Sequence, residues 1–139
     1  MTRFVLDASV ALRWFLDNSV PAYATRVKRL ILSGDRALVP ALWHLEMANG
    51  LTLSERRGIL AAPDVDRCLD DIEQLLAQSF DTDSSLISAR AASALARAFR
   101  LSAYDAAYLE LARRERLPLA TLDEQLKAAA SQAGVRLLR

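Results

Sequence analysis

Residues 3–16 read RFVLDASVALRWFL, and this stretch shows the pattern that the rest of the chain repeats. Its first half is a short apolar run of strand-forming residues that stops at Asp7. Its second half keeps apolar residues at helical spacing, and Ser9 is expected to cap that helix. A short buried strand followed by an amphipathic helix is typical of a parallel sheet that is covered on both faces.

The same alternation of strand and helix recurs along the chain. The predicted strands cover residues 3–6, 37–39, 79–81, 118–121 and 135–138. The predicted helices cover residues 10–16, 21–33, 42–57, 63–76, 84–99, 102–113 and 123–132. We therefore expect a single α/β domain over residues 1–139, and ligands in such domains bind at the carboxyl ends of the strands.

The composition is that of an ordinary globular domain of 139 residues, with 53% hydrophobic and 25% charged residues. The net charge of +1 does not indicate a nucleic-acid partner. Arg greatly outnumbers Lys, which suits phosphate contacts but is explained more simply by codon usage. Cys68 stands alone, which fits a reducing cytoplasm. Since no apolar run approaches the ~20 residues of a membrane span and residues 1–16 lack a basic start, we expect a cytoplasmic protein without a signal peptide.

Four acidic residues stand at or just beyond the predicted carboxyl ends of strands or in the first turns of helices. Asp7 ends the first strand, Glu46 lies about one turn into the helix after the second, and Asp123 lies just beyond the fourth. Asp105 lies in the first turn of its own helix. Because parallel strands share one carboxyl edge, we expect these carboxylates to meet there. Clustered carboxylates repel one another unless a cation intervenes, and all-oxygen sites suit Mg²⁺ or Mn²⁺.

The acids also have a purely structural interpretation. Ser102-x-x-Asp105 and Thr121-x-x-Glu124 both match the capping box that starts many helices, and Asp123 is favourable in a first turn. Taken singly, these residues are explained by capping. The hypothesis of a metal site therefore depends on the convergence of all four acids.

Four segments of the chain resemble the PIN-domain nucleases, and in particular the VapC-like toxins of bacterial toxin–antitoxin pairs. They read FVLDASV at 4–10, WHLEMAN at 43–49, SAYDAAYLELA at 102–112 and LATLD at 119–123. Each motif alone is weak, but four of them in this order are quite specific. The resemblance implies a three-layer sandwich around a five-stranded parallel sheet. It also implies an endoribonuclease that depends on one or two Mg²⁺ or Mn²⁺ ions.

The resemblance assigns roles to individual residues as well. The family's four catalytic and metal-binding acids fall on Asp7, Glu46, Asp105 and Asp123. Its small hydroxyl residues near the first and fourth acids fall on Ser9 and Thr121, and Asn49 is expected to share the helix face of Glu46. The resemblance further implies an RNA substrate, a homodimer and an antitoxin that covers the active site.

Several other side chains receive a structural interpretation. His44 is two positions from the second acid and so points away from it on a helix, which disfavours a general-base role. Trp14 and Trp43 are assigned to the core or to a dimer contact rather than to stacking on RNA bases. Tyr104 and Tyr108 are assigned to the buried face of their helix. The candidate phosphate contacts are Arg56, Arg57, Arg97, Arg100, Arg113 and Arg114.

Other functional classes make different demands on the same residues. A PIN-type RNA-processing nuclease without an antitoxin remains open, and so does a non-catalytic interaction module that binds metal. Enzymes that form an aspartyl phosphate fit less well. A dehalogenase-type phosphatase requires an Asp where this chain has Ser9. A signalling receiver requires paired acids, whereas Leu6 precedes Asp7, and it also requires a Lys that the residues around Thr121 do not supply.

Overall fold

A parallel sheet lies at the centre of the computed structural model, which describes residues 2–139. The strands are β1 (Arg3–Leu6), β2 (Arg36–Pro40), β3 (Phe80–Asp83) and β4 (Leu119–Ala120). They lie in the order β3-β2-β1-β4, and every pair of neighbours is parallel. The predicted α/β class with a parallel sheet is confirmed.

Helices connect the strands and cover the sheet. They are α1 (Ala8–Leu16), α2 (Ala22–Leu32), α3 (Ala41–Arg56), α4 (Ala62–Ser79), α5 (Ala89–Phe99), α6 (Ala103–Glu115) and α7 (Glu124–Gln132). Phe4, Val5 and Leu6 are all fully buried, although successive side chains of a strand point to opposite faces. Both faces of the sheet are therefore covered, as predicted. Among the helices of residues 2–139, none has the length and apolar character needed to cross a membrane.

The prediction of a fifth strand over residues 135–138 is wrong, because the sheet has four strands. In the described part of the chain this segment contributes a single parallel bridge, between Leu137 and Leu119. β4 itself has only two residues, because the chain leaves the sheet after Ala120 and turns the side chain of Thr121 toward the end of β1. Of the two residues of β4, only Leu119 pairs with the segment 135–138.

Two helix starts also differ from the prediction. The helix predicted to begin at Ser84 begins at Ala89, because the Ser88 hydroxyl accepts a hydrogen bond from the backbone three residues further on and so acts as the N-cap. The prediction that Ser9 caps α1 is wrong. Asp7 occupies the N-cap position, without a side-chain capping bond, and Ser9 lies inside the helix.

The core contains most of the aromatic residues that the sequence assigned to it. Trp43 and Tyr108 are fully buried, and the half-buried Trp14 donates its indole N–H to the Ala24 carbonyl at 2.8 Å. Tyr104 was assigned to the buried face of α6, and this is wrong because 67% of it is exposed. The buried part of α6 begins only after its first turn, so Tyr104 lies beyond the core.

The contact between α1 and α3 is close, and it matters because α1 follows Asp7 while α3 carries Glu46. Gly50 lies in the middle of α3 against the Leu12 side chain of α1. A Cβ atom at position 50 would lie 2.6 Å from a terminal methyl of Leu12. The absence of a side chain at Gly50 thus lets the two helices approach each other beside the carboxyl edge of the sheet.

Candidate metal centre

Asp7 lies where β1 ends and α1 begins, and only 4% of it is exposed. Its Oδ2 atom accepts hydrogen bonds from the hydroxyl groups of Ser9 at 2.6 Å and Thr121 at 2.7 Å. Burial raises the pKa of Asp7, the two hydroxyl bonds lower it, and the negative charge of Asp123 raises it further. A hydrogen bond from the Ser9 backbone amide lowers this pKa as well.

The two hydroxyl residues join the ends of neighbouring strands. Ser9 accepts a hydrogen bond from the Leu122 amide at 3.0 Å, and Thr121 accepts one from the Asp123 amide at 3.0 Å. The two hydroxyl oxygens lie 3.3 Å apart. This network ties the loop after β4 to the end of β1 and so brings Asp123 beside Asp7, as the parallel sheet predicted.

Asp123 is the N-cap of α7, and its Oδ1 atom accepts a hydrogen bond from the Leu126 amide at 2.9 Å. The predicted capping box of Thr121 and Glu124 is wrong, because the Thr121 hydroxyl bonds to Asp7 and Asp123 itself caps the helix. Capping uses one carboxylate oxygen. In the described chain Oδ2 has no hydrogen-bond partner, so capping and metal binding are compatible at this residue.

Glu46 projects from α3, and its Oε1 atom accepts a 2.6 Å hydrogen bond from the hydroxyl of Tyr108 on α6. Burial raises the pKa of Glu46, the bond from Tyr108 lowers it, and the negative charges of Asp7 and Asp105 raise it. The sequence prediction missed Tyr108 as a site residue. The sequence does indicate that Tyr108 is near the acids, because it lies three residues after Asp105 on the same helix face and a buried tyrosine hydroxyl needs a hydrogen-bond partner.

Asp105 lies in the first turn of α6. The Ser102 hydroxyl accepts a hydrogen bond from the Asp105 amide at 3.1 Å, so the predicted cap is present. In the described chain the Asp105 carboxylate accepts no hydrogen bond from the Ser102 amide, so the predicted capping box is only half formed. Burial raises the pKa of Asp105 to about 6, the negative charges of Asp123 and Asp7 raise it further, and a hydrogen bond from the Ser102 side chain lowers it.

These four carboxylates share one environment without a compensating basic side chain. The negative charges of Asp7, Asp105 and Asp123 each raise the pKa of at least one other member of the cluster. Among residues 2–139 there are eight ion pairs, and none includes a member of the cluster. A cluster of this kind is relieved by protons or by a divalent cation.

The chemistry of the donor set fits Mg²⁺ or Mn²⁺. Glu46 and Asp123 each have one oxygen held by a neutral donor and one oxygen without a hydrogen bond from the described residues, and the donors to Asp7 are neutral too. Over residues 2–139, no three His, Cys, Asp or Glu side chains are arranged to hold one ion directly.

Comparison with known proteins places this fold in a family. The model of the PIN domain matches residues 4–132. The chain belongs to the PIN domain family. Members of this family are typically nucleases that use divalent metal ions. A search of curated proteins finds no match.

Two solved structures share the architecture of this PIN domain. PAE2754 from Pyrobaculum aerophilum matches with a TM-score of 0.69 and 21% sequence identity, over 92% of this chain and 84% of that chain. FitAcB from Neisseria gonorrhoeae matches with a TM-score of 0.63 and 19% identity, over 100% of this chain and 97% of that chain. Both likenesses support the fold.

Of the other residues of this PIN domain that the sequence singled out, Asn49 lies beside an acid of the cluster and His44 does not. Asn49 shares the face of α3 with Glu46, and both line an open cavity of about 680 Å³ together with the exposed ring of Tyr104. The His44 ring bonds to the Thr82 hydroxyl of β3 at 2.9 Å, so it is engaged with the sheet edge rather than with the acids.

The candidate phosphate contacts divide into two groups. Arg114 forms ion pairs with Asp83, Glu110 and Glu115, which neutralise its charge. The other candidates are exposed and form no ion pair within residues 2–139. They are Arg56, Arg57, Arg97, Arg100 and Arg113.

Capping and metal binding at Asp105 can be separated with two variants. Ser102→Ala should cost about 0.5–2 kcal/mol of stability, because the helix loses its cap, and Mg²⁺ should still raise its melting temperature as in the wild type. Asp105→Asn should cost no stability in EDTA, because it removes carboxylate repulsion. If Asp105 binds the ion, Mg²⁺ should raise the melting temperature of Asp105→Asn less than that of the wild type.

The pH dependence of stability in EDTA provides a control for the Asp105→Asn variant. The pKa of Asp105 rises from 3.8 to about 6 on folding, so the metal-free folded protein binds this proton more tightly than the unfolded chain does. Stability therefore falls as pH rises through this window. Any advantage of Asp105→Asn in EDTA should be full above pH 6 and shrink toward pH 4. An Asp105→Asn variant that is strongly destabilised in EDTA yet stabilised by Mg²⁺ as much as the wild type would remove Asp105 from the site.

Proposed function

We propose that this PIN domain is a metal-dependent endoribonuclease that hydrolyses RNA phosphodiester bonds and serves as the toxin of a type II toxin–antitoxin pair. The observation that carries the proposal is the cluster of four carboxylates at the carboxyl edge of the sheet, with no basic partner among the described residues. The proposed catalytic and metal-binding residues are Asp7, Glu46, Asp105 and Asp123. The proposed supporting residues are Ser9, Asn49 and Thr121.

The proposed cofactor is Mg²⁺ or Mn²⁺, as one or two ions. Such an ion, when bound, lowers the pKa of water and neutralises charge on a phosphoryl group. Asp7 and Asp123 would hold it from the sheet edge, and Glu46 and Asp105 from the helices, either directly or through its water shell. The hydroxyl groups of Ser9 and Thr121 keep the Asp7 carboxylate in place.

The proposed reaction is hydrolysis. Water attacks the phosphorus, the bond to the 3′ oxygen breaks, and the products carry a 3′-hydroxyl and a 5′-phosphate. Attack by the ribose 2′-hydroxyl would instead need acid and base groups such as a histidine pair. His44 is the only histidine of the sequence, and its ring bonds to Thr82 away from the acids.

The toxin role rests on the resemblance of the four motifs to VapC-like toxins. It brings with it three further proposals: a cognate antitoxin that covers the active site, a homodimer, and action on RNA in the cytoplasm. An RNA-processing nuclease would use the same four acids without an antitoxin, so the biological role needs a test of its own.

Cleavage of RNA by the purified protein tests the chemistry. Single-stranded or structured RNA should be cut with Mg²⁺ or Mn²⁺, cutting should stop in EDTA, and the new ends should be 5′-phosphates. Asp7→Asn should reduce the rate by orders of magnitude, because it removes a charge from the site. The control is Asp66→Asn, which changes an exposed acid of α4. Undiminished cutting in EDTA would rule out the proposed mechanism.

Growth of cells that express the protein tests the biological role. Expression of the wild type should arrest growth, and co-expression of the protein encoded by the neighbouring gene should relieve the arrest. Asp7→Asn should allow normal growth, since the arrest is expected to come from RNA cleavage. If Asp7→Asn arrests growth as strongly as the wild type, the arrest does not come from this site.

A further inference from the structure

Tyr108 has no exposed surface, yet its hydroxyl reaches the acid cluster. It donates a 2.6 Å hydrogen bond to Oε1 of Glu46. Tyr108 belongs to α6 and Glu46 to α3, so this bond joins two helices through residues that are 62 positions apart in the chain. The distance lies in the short range that is usual for a hydroxyl that donates to a carboxylate.

We propose that Tyr108 is a positioning residue for the metal centre, which holds Oε1 of Glu46 so that Oε2 is presented to the cation. The inference rests on the proposed function and adds to it a specific role for a side chain outside the acid cluster. Tyr108 itself touches neither the ion nor the substrate.

The need for such a residue follows from the length of the Glu46 side chain. A glutamate has one more rotatable bond than an aspartate, and an unrestrained side chain loses more conformational entropy when it binds an ion. Asp7 is held by two hydroxyl groups, and Asp123 is held by the amide of Leu126. The bond from Tyr108 gives the longest of the four side chains an equivalent restraint.

The chemical type of the donor also matters. A phenol is neutral near pH 7, whereas a lysine or arginine in the same place would neutralise Glu46 and compete with the cation. The neutral hydroxyl therefore orients the carboxylate and leaves its charge available. Residues that orient metal ligands in this way commonly contribute about 10- to 100-fold to metal affinity or activity.

The position of Tyr108 on α6 supports the assignment. Asp105 precedes it by three residues, so both lie on the same face of the helix. One helix thus supplies an acid of the cluster and, one turn further on, the donor that orients an acid of α3. Movement of α6 relative to α3 would displace Asp105 and break the hydrogen bond from Tyr108 to Glu46 at once.

The test is Mn²⁺ binding measured by calorimetry on purified wild type and Tyr108→Phe. Phenylalanine keeps the ring that fills the core, and water can reach the half-buried Glu46. Tyr108→Phe should bind Mn²⁺ about 10-fold or more weakly. The control is Ser54→Ala, which removes a hydroxyl that donates to the Gly50 carbonyl at 2.9 Å about two turns beyond Glu46 on α3 and should leave Mn²⁺ affinity unchanged.

Two further readouts separate positioning from a structural role. In a Glu46→Gln background, Tyr108→Phe should cause a smaller further loss of Mn²⁺ affinity than in the wild type, because the carboxylate on which it acts is already gone. RNA cleavage by Tyr108→Phe should also recover as the Mn²⁺ concentration rises. Circular dichroism without Mn²⁺ should show the same folded fraction for Tyr108→Phe and the wild type, which separates weaker metal binding from impaired folding.

The outcomes distinguish this inference from the proposed function. If the wild type binds Mn²⁺ and Tyr108→Phe binds it equally well, the positioning role is overturned and the metal site stands. Equal losses in the wild-type and Glu46→Gln backgrounds also overturn it, because the hydroxyl would then act on the fold. If the wild type binds no Mn²⁺, the proposed metal site fails and the role of Tyr108 fails with it.

Discussion

The carboxylate of Asp7 is buried at the end of the central strand β1, where an isolated negative charge would be costly. The backbone helps to fix it, because the Asp7 amide donates to the Ala120 carbonyl at 2.9 Å and extends the pairing of β1 with β4. The hydroxyl groups of Ser9 and Thr121 then satisfy one of its oxygens. All of these donors are neutral, so they stabilise the carboxylate without cancelling its charge.

At two other acids of the cluster, too, one carboxylate oxygen is held by a neutral donor. Glu46 and Asp123 each have one oxygen held by an uncharged donor, from a tyrosine hydroxyl and a backbone amide respectively. Basic side chains would have stabilised the cluster more strongly, but they would have neutralised it. The arrangement is preorganised, and it retains the negative charge that a divalent cation requires. Elsewhere in the domain, arginines such as Arg36 and Arg114 do pair with acids.

Much of this arrangement follows from local sequence pattern and sheet topology. The strand that ends at Asp7 was predicted from its apolar run, and a parallel sheet with short connections leaves little choice about which edge Asp7, Glu46 and Asp123 share. The resemblance to PIN domains added Ser9 and Thr121 beside the first and fourth acids. The family match and the similar solved structures confirm the fold on which these expectations depended.

The features that were missed depend on partners far away in the chain. Ser9 looked like a helix cap, but its hydroxyl bonds to Asp7 and to residues 112 or more positions away. The length of β4 is limited by the turn of Thr121 toward Asp7, and this limits the predicted fifth strand to one bridge. The role of Tyr108 required its distance to Glu46, which no local pattern contains.

X-ray diffraction from crystals soaked in Mn²⁺ tests the central claim most directly, because anomalous scattering locates the ion without assumptions about its ligands. The account predicts a Mn²⁺ peak among the carboxylates of Asp7, Glu46, Asp105 and Asp123. A pocket without a peak at saturating Mn²⁺, or a peak bound only elsewhere on the protein, would contradict it.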